Sequence, residues 1–190
     1  QGVLRPVADG ETLLRVEVGG ETLESKITVR DSAKAQPWSF SNDVQAVLTK
    51  SGCNMGACHG AQSGKNGFKL ALRGYDHHAD YNTLTRQSRG RRVIPSDPAR
   101  SLMLLKGTGA VPHGGGKRFE TQSLQYRILS QWIAEGARGP SSGDSHVTSL
   151  DVLPTQVTLR PGDEQQIVVQ ATYSDGTVRD VTRWAMYSTT

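Results

Sequence analysis

The chain has 190 residues, a formal net charge of +4 and a hydrophobic fraction of only 35%, with 21 glycines. That predicts small cores and abundant loops, and no apolar run is long enough to cross a membrane. The positive charge is too mild to indicate a nucleic-acid binder, although it suits an anionic partner or ligand.

Residues 1–30 show period-2 alternation on either side of Gly19-Gly20. Leu14, Val16 and Val18 lie before the break, and Leu23, Ile27 and Val29 after it. Two such runs about a Gly-Gly pair predict a β-hairpin. Residues 31–38, closed by Pro37, read as a linker. From residue 39 the pattern changes. Ser41 or Asn42 is expected to cap a helix carrying Val44, Val47 and Leu48, ending at Ser51-Gly52. Phe68, Leu70 and Leu72 alternate, which suggests a short extended piece. Asp76 precedes a weak helix through Tyr81 and Leu84. Asp97-Pro98 predicts a helix start, with Leu102, Met103 and Leu105 apolar as far as Lys106. After a glycine-rich loop, Thr121 or Ser123 is expected to cap the clearest helix. Its apolar face is Leu124, Ile128, Leu129, Trp132 and Ile133, and it stops at Gly136. Residues 139–146 read as a second linker. Residues 147–190 alternate again, with turns at Pro161-Gly162 and Ser174-Asp175-Gly176, as in the opening strands of a sandwich.

The chemistry concentrates at SGCNMGACHG, residues 51–60. Cys53 and Cys58 are the only cysteines, and His59 follows the second. A Cys pair with a His directly after it is the attachment pattern of c-type haem, here with four intervening residues instead of two. Two thiols add across two vinyl groups of a porphyrin, and the neighbouring imidazole becomes an axial ligand. A Cys53–Cys58 disulfide is the competing reading, and a zinc site would need further ligands from elsewhere in the chain.

The second axial ligand is expected to be His113, between Pro112 and Gly114-Gly115-Gly116, with Met103 as the alternative. Met55, His77, His78 and His146 are weaker candidates. Arg86, Arg89, Arg91 and Arg92 either meet haem propionates or form a solvated basic face. Phe119 and Trp132 either line a haem crevice or fill the core. The carboxylates are scattered, so no catalytic activity is expected of this fragment.

The strings SGCNMGACHGAQSGKNGFKLALRGYD, SDPARSLMLLK, VPHGGGKRF and YRILSQWIAEGA resemble the planctomycete-type cytochrome c domain, over roughly residues 39–138. The flanks, 1–30 and 147–190, resemble the end and the start of bacterial group 2 Ig-like domains. The resemblance implies a mostly α cytochrome c-like domain flanked by β-sandwich segments, excerpted from a large exported protein of the periplasm or cell surface. It implies one covalent haem c on Cys53 and Cys58, with His59 proximal. A methionine usually precedes the proline in the distal loop of such domains. Here that place reads Val111-Pro112-His113, which favours bis-His ligation. The function implied is electron transfer to a redox partner, with the Ig-like parts free to meet cell-surface glycans or proteins. The alternatives are an electron-accepting accessory to an enzyme in the parent chain, or a haem-free structural or adhesive protein.

Overall fold

The computed structural model describes Leu4, residues 6–33 and residues 37–189. The linker expected at 31–38 therefore falls partly outside the described residues, at 34–36. The chain divides into two compact units, residues 1–37 and residues 38–190.

In the first unit, β1 (Gly10–Val18) and β2 (Glu21–Val29) pair antiparallel, with Val18 opposite Glu21 across the glycine turn. Gly19 and Gly20 both have positive φ, as a two-residue turn matched to strand twist requires. The register puts Leu14, Val16, Val18 and Leu23 on one face. The other face carries the ion pairs Arg15–Glu24 (2.7 Å) and Lys26–Glu11 (2.8 Å). All four of those apolar side chains remain exposed.

The second unit is built on one apolar core. Ser39 accepts from Asn42 N, and its own N–H donates to Asp43, so two orphan donors are satisfied reciprocally at the helix start. A wide π turn, Phe40–Val44, leads into α1 (Gln45–Lys50). α2 (His77–Thr85) is capped by Asp76. α4 (Leu124–Ala134) is capped by Ser123, and it buries Ile128, Leu129, Trp132 and Ile133. These four pack with Phe40, Val44, Val47, Leu48, Leu70, Leu84 and Leu104. The helix expected from Asp97 to Lys106 is interrupted. Pro98–Arg100 forms one tight turn, Ser101 is extended (ψ 126°), and α3 runs Leu102–Thr108. Buried Ser101 accepts from Ile94 N, which holds the break open. Leu104, not Leu102 or Leu105, is the residue sealed in the core.

The remaining strands form a small sheet in the order β3-β4-β5: β3 (Val147–Leu153), β4 (Val168–Tyr173) and β5 (Val178–Asp180), all antiparallel. β4 buries Val169, Ala171 and Tyr173, and Val147 and Leu150 of β3 and Ala46 of α1 line the same seam. The segment 139–146 is tied down as well: Asn42 donates to Ser145 O and Ser41 to Asp144.

The expected fold class is therefore corrected. The four helices among the described residues are short, with 26% of residues helical and 20% in strands. The protein is not mostly α, and its sheets of two and three strands are not sandwiches. The physical reason lies in the loops: between residues 51 and 71 the chain is held by turn hydrogen bonds and one isolated bridge, Lys65 with Phe68, rather than by a helix or a ladder. Alternation at the two ends supplies strands but no second sheet to cover them.

Candidate functional site

The loop 51–60 grows out of α1. Cys53 N donates to Leu48 O at 2.8 Å, and Gly52 adopts φ +75°. The loop then closes on itself through His59 N to Cys53 O (3.0 Å), Cys58 N to Met55 O (2.9 Å) and Gly60 N to Met55 O (3.1 Å). The main chain that carries Cys53, Cys58 and His59 is thus fixed by backbone bonds. Asn54, fully buried, donates to Thr49 at 2.8 Å from beneath. A second strap runs alongside, where Leu70 N donates to His59 O at 2.8 Å.

Cys53, Cys58, His59, His113 and Met103 all line one cavity of about 340 Å³, within the roughly 300–1,000 Å³ usual for small-molecule sites. Its apolar wall includes Leu48, Phe68, Leu70, Leu84, Phe119 and Leu129. Lys65, Arg91, Arg92, Lys106 and Arg118 also line it, and among the described residues no carboxylate does. The Arg118 guanidinium donates to Cys58 Sγ at 3.3 Å. Both cysteines are free thiols, and burial pushes the Cys53 thiol up to about 11.

The two imidazoles face the cavity as a pair. Their ring centres are 6.4 Å apart and their planes differ by 7°. His59 Nδ1 lies 3.0 Å from Phe68 O, and His113 Nδ1 lies 2.8 Å from Gly116 O. A carbonyl only accepts, so each Nδ1 carries a proton, and the neutral tautomer compatible with that bond has its lone pair on Nε2. Burial holds the His59 pKa below the ordinary histidine value, which favours that neutral form.

The other candidates fall elsewhere. His77, His78 and His146 border a separate, open depression with Asp76 and Asp144. Met55 does not line the cavity, and neither do Arg86 and Arg89. Phe119 does line it, whereas Trp132 belongs to the core alone. Sequence reasoning missed Arg118 and Lys65, for which no local pattern exists. It named Phe68 only as a strand residue, not as the partner of His59.

The strap bearing Phe68 and Leu70 is anchored by Asp80. This buried carboxylate accepts from Ala71 N (2.6 Å) and from Gln45 Nε2 (2.8 Å). Burial outweighs both bonds, and the Asp80 pKa is raised above the usual carboxylate value. A group with a raised folded-state pKa favours folding when protonated, and that contribution is lost as pH rises through the folded pKa. The stability of the wild type relative to Asp80→Asn is therefore expected to increase on acidification towards pH 4. Urea unfolding of both proteins at several pH values checks this, and an unchanging difference would refute it.

No family model matches the chain, and no curated protein or solved structure matches it either. Among the described residues no group of three or more His, Cys, Asp or Glu side chains could hold a metal ion, so Cys53, Cys58 and His59 do not converge as a metal centre of their own. The resemblance to the planctomycete-type cytochrome c domain, and to Ig-like domains at the flanks, is accordingly withdrawn. It rested on the segment 51–76, three shorter strings and the alternating flanks, and alternation of that kind arises in many unrelated sheets.

The chemistry of the donor set can be judged without any family. A porphyrin brings four nitrogens to its iron and asks the chain for two axial ligands only. His59 and His113, whose stacked rings lie 6.4 Å apart, are the two side chains of this cavity that would supply those ligands. Two thiols beside one of these rings, apolar walls and cations at the edge fit a haem c with two carboxylate arms.

Proposed function

We propose that this chain is an electron-transfer module carrying one haem c, joined through Cys53 and Cys58 and ligated by His59 and His113. The observation that carries the reading is the pair of near-parallel imidazoles, each with Nδ1 on a backbone carbonyl, in one apolar cavity with both free thiols. When bound, the haem supplies a one-electron iron couple, whose potential a second histidine sets lower than a methionine would. The chain's own part is to hold and insulate. Phe68 O and Gly116 O orient the two rings. Leu70, Leu84, Phe119 and Leu129 exclude water, which keeps reorganisation small. Arg91, Lys65 and Lys106 offer donors to the propionates.

Export to the periplasm or cell surface goes with this proposal, because attachment of haem c takes place there, and the redox partner would be met there. The test is a pyridine haemochrome spectrum on protein matured in a periplasm competent for haem c. A colourless product with Cys53 and Cys58 joined to each other would end the proposal. Given haem, His113→Ala is expected to lose the low-spin six-coordinate spectrum while Met103→Ala retains it. The opposite result would move the distal ligand to Met103.

A further inference from the structure

Arg92 is 5% exposed, and among the described residues no carboxylate pairs with it. An arginine so buried is costly unless its donors are satisfied. Here both terminal nitrogens are: one Nη donates to Thr83 O (2.8 Å) and Gln87 O (3.3 Å), the other to Gly67 O (3.4 Å) and Ser88 Oγ (3.1 Å). Two of these four acceptors belong to a turn in which Ser88 (φ +54°) and Arg89 (φ +60°) are both left-handed. Such residues cost about 1–2 kcal/mol each when they are not glycine. Burial without a counter-ion and backbone strain thus coincide on one side chain.

What that guanidinium touches is the strap behind the proximal histidine. Its carbon sits 4.5 Å from the Phe68 ring centre, in cation–π range, and it holds Gly67 O, the carbonyl immediately before Phe68. Phe68 in turn meets His59 twice. Its ring centre is 4.3 Å from the imidazole, and its carbonyl accepts from Nδ1. Of the four arginines in the run 86–92, Arg92 therefore has both its Nη groups committed to the protein.

We propose that Arg92 is a positioning residue for the ligand His59, fixing the ring and its tautomer through Phe68, and a buried positive charge behind the haem. This rests on the haem reading for its second half only. The first half is tested on the haem-free chain with reduced thiols, by 15N NMR of the His59 ring. The wild type is expected to show one tautomer, protonated at Nδ1. Arg92→Met is expected to lose that single signature and show both tautomers, with helical circular dichroism retained.

If Arg92→Met fails to fold, Arg92→Lys serves instead, because it keeps the charge but cannot span four acceptors, and it too is expected to mix tautomers. In the haem-loaded protein, Arg92→Met is expected to lower the midpoint potential, whereas Arg91→Met, at the cavity edge, shifts it less. A folded Arg92 variant with an unchanged His59 tautomer overturns the positioning role, whether or not the protein takes haem. An unchanged potential in the loaded protein overturns the electrostatic one.

Discussion

Gly60→Ala is expected to dismantle the attachment loop while leaving the helices in place. A Cβ on Gly60 would overlap the carbonyl oxygen of Asn54 and approach Met55 C at 3.0 Å. Both obstacles are backbone, so no side chain can swing away to make room. The Asn54 carbonyl also accepts from Arg73 N at 3.0 Å, so pushing it aside breaks the tie between the loop and the segment after the strap. Overpacking of this kind typically costs about 1–3 kcal/mol. The larger consequence is chemical, since Gly60 lies directly behind His59 and its N–H closes the turn onto Met55. On the proposed function, the expected result is loss of haem attachment with a modest fall in thermal midpoint. Gly56→Ala is the contrast: its Cβ would meet nothing nearer than Leu72 at 4.0 Å, so uptake should be unchanged. Haem content by mass and absorbance, with thermal melts of both variants, checks the pair. Normal haem loading in Gly60→Ala would show that the loop relaxes around the extra carbon.

That contrast also shows where the sequence was legible. The Cys, Cys and His of the site stand together in the chain, and spacing alone singled them out. From the sequence, Gly56, between the two cysteines, is the residue expected to let the loop bend. Only the fold reveals that Gly60 is pressed against backbone and that Gly56 is exposed. His113 was singled out by elimination, because proline before it and glycines after it mark a loop able to present a side chain, and the fold brings it to the cavity beside His59. Arg92 was not found, since a basic run looks the same whether it is solvated or swallowed by carbonyls. Among the elements, α4 and the β1–β2 hairpin were clear from period and caps. The start of the first helix was placed late, because the cap is Ser39 and a π turn intervenes. The helix from Asp97 was drawn too long, because a tertiary bond from Ile94 to Ser101 outcompetes helix propagation there. The step from strands to sandwiches failed for another reason: alternation specifies a strand with two unlike faces and says nothing about what covers the apolar one.

Trp132→Ala is expected to be the most destabilising single change in the second unit. The indole is fully buried in α4, 5.5 Å from the Phe40 ring, among Val44, Leu48, Leu129 and Ile133 in the core. Truncations of this kind cost about 3–5 kcal/mol, a large share of the roughly 5–15 kcal/mol by which domains are stable. The indole N–H also donates to Arg138 O at 2.9 Å, which pins the chain just after Gly136 has ended the helix. Trp132→Phe separates the two contributions. It keeps most of the apolar contact but strands the Arg138 carbonyl, for a cost of about 1–3 kcal/mol. The site should feel the alanine change as well. Leu129, one turn earlier on the same helix, forms part of the cavity wall, so a collapsing core withdraws apolar cover from both imidazoles. Urea unfolding followed by far-ultraviolet circular dichroism is expected to rank the proteins wild type, Trp132→Phe, Trp132→Ala, with haem loading falling in the same order. Val152→Ala, at an exposed position on β3, is the control and should sit beside the wild type. If Trp132→Ala unfolded at the same urea concentration as that control, the core would not be organised on α4, and the wall that the haem reading requires would have no rigid support.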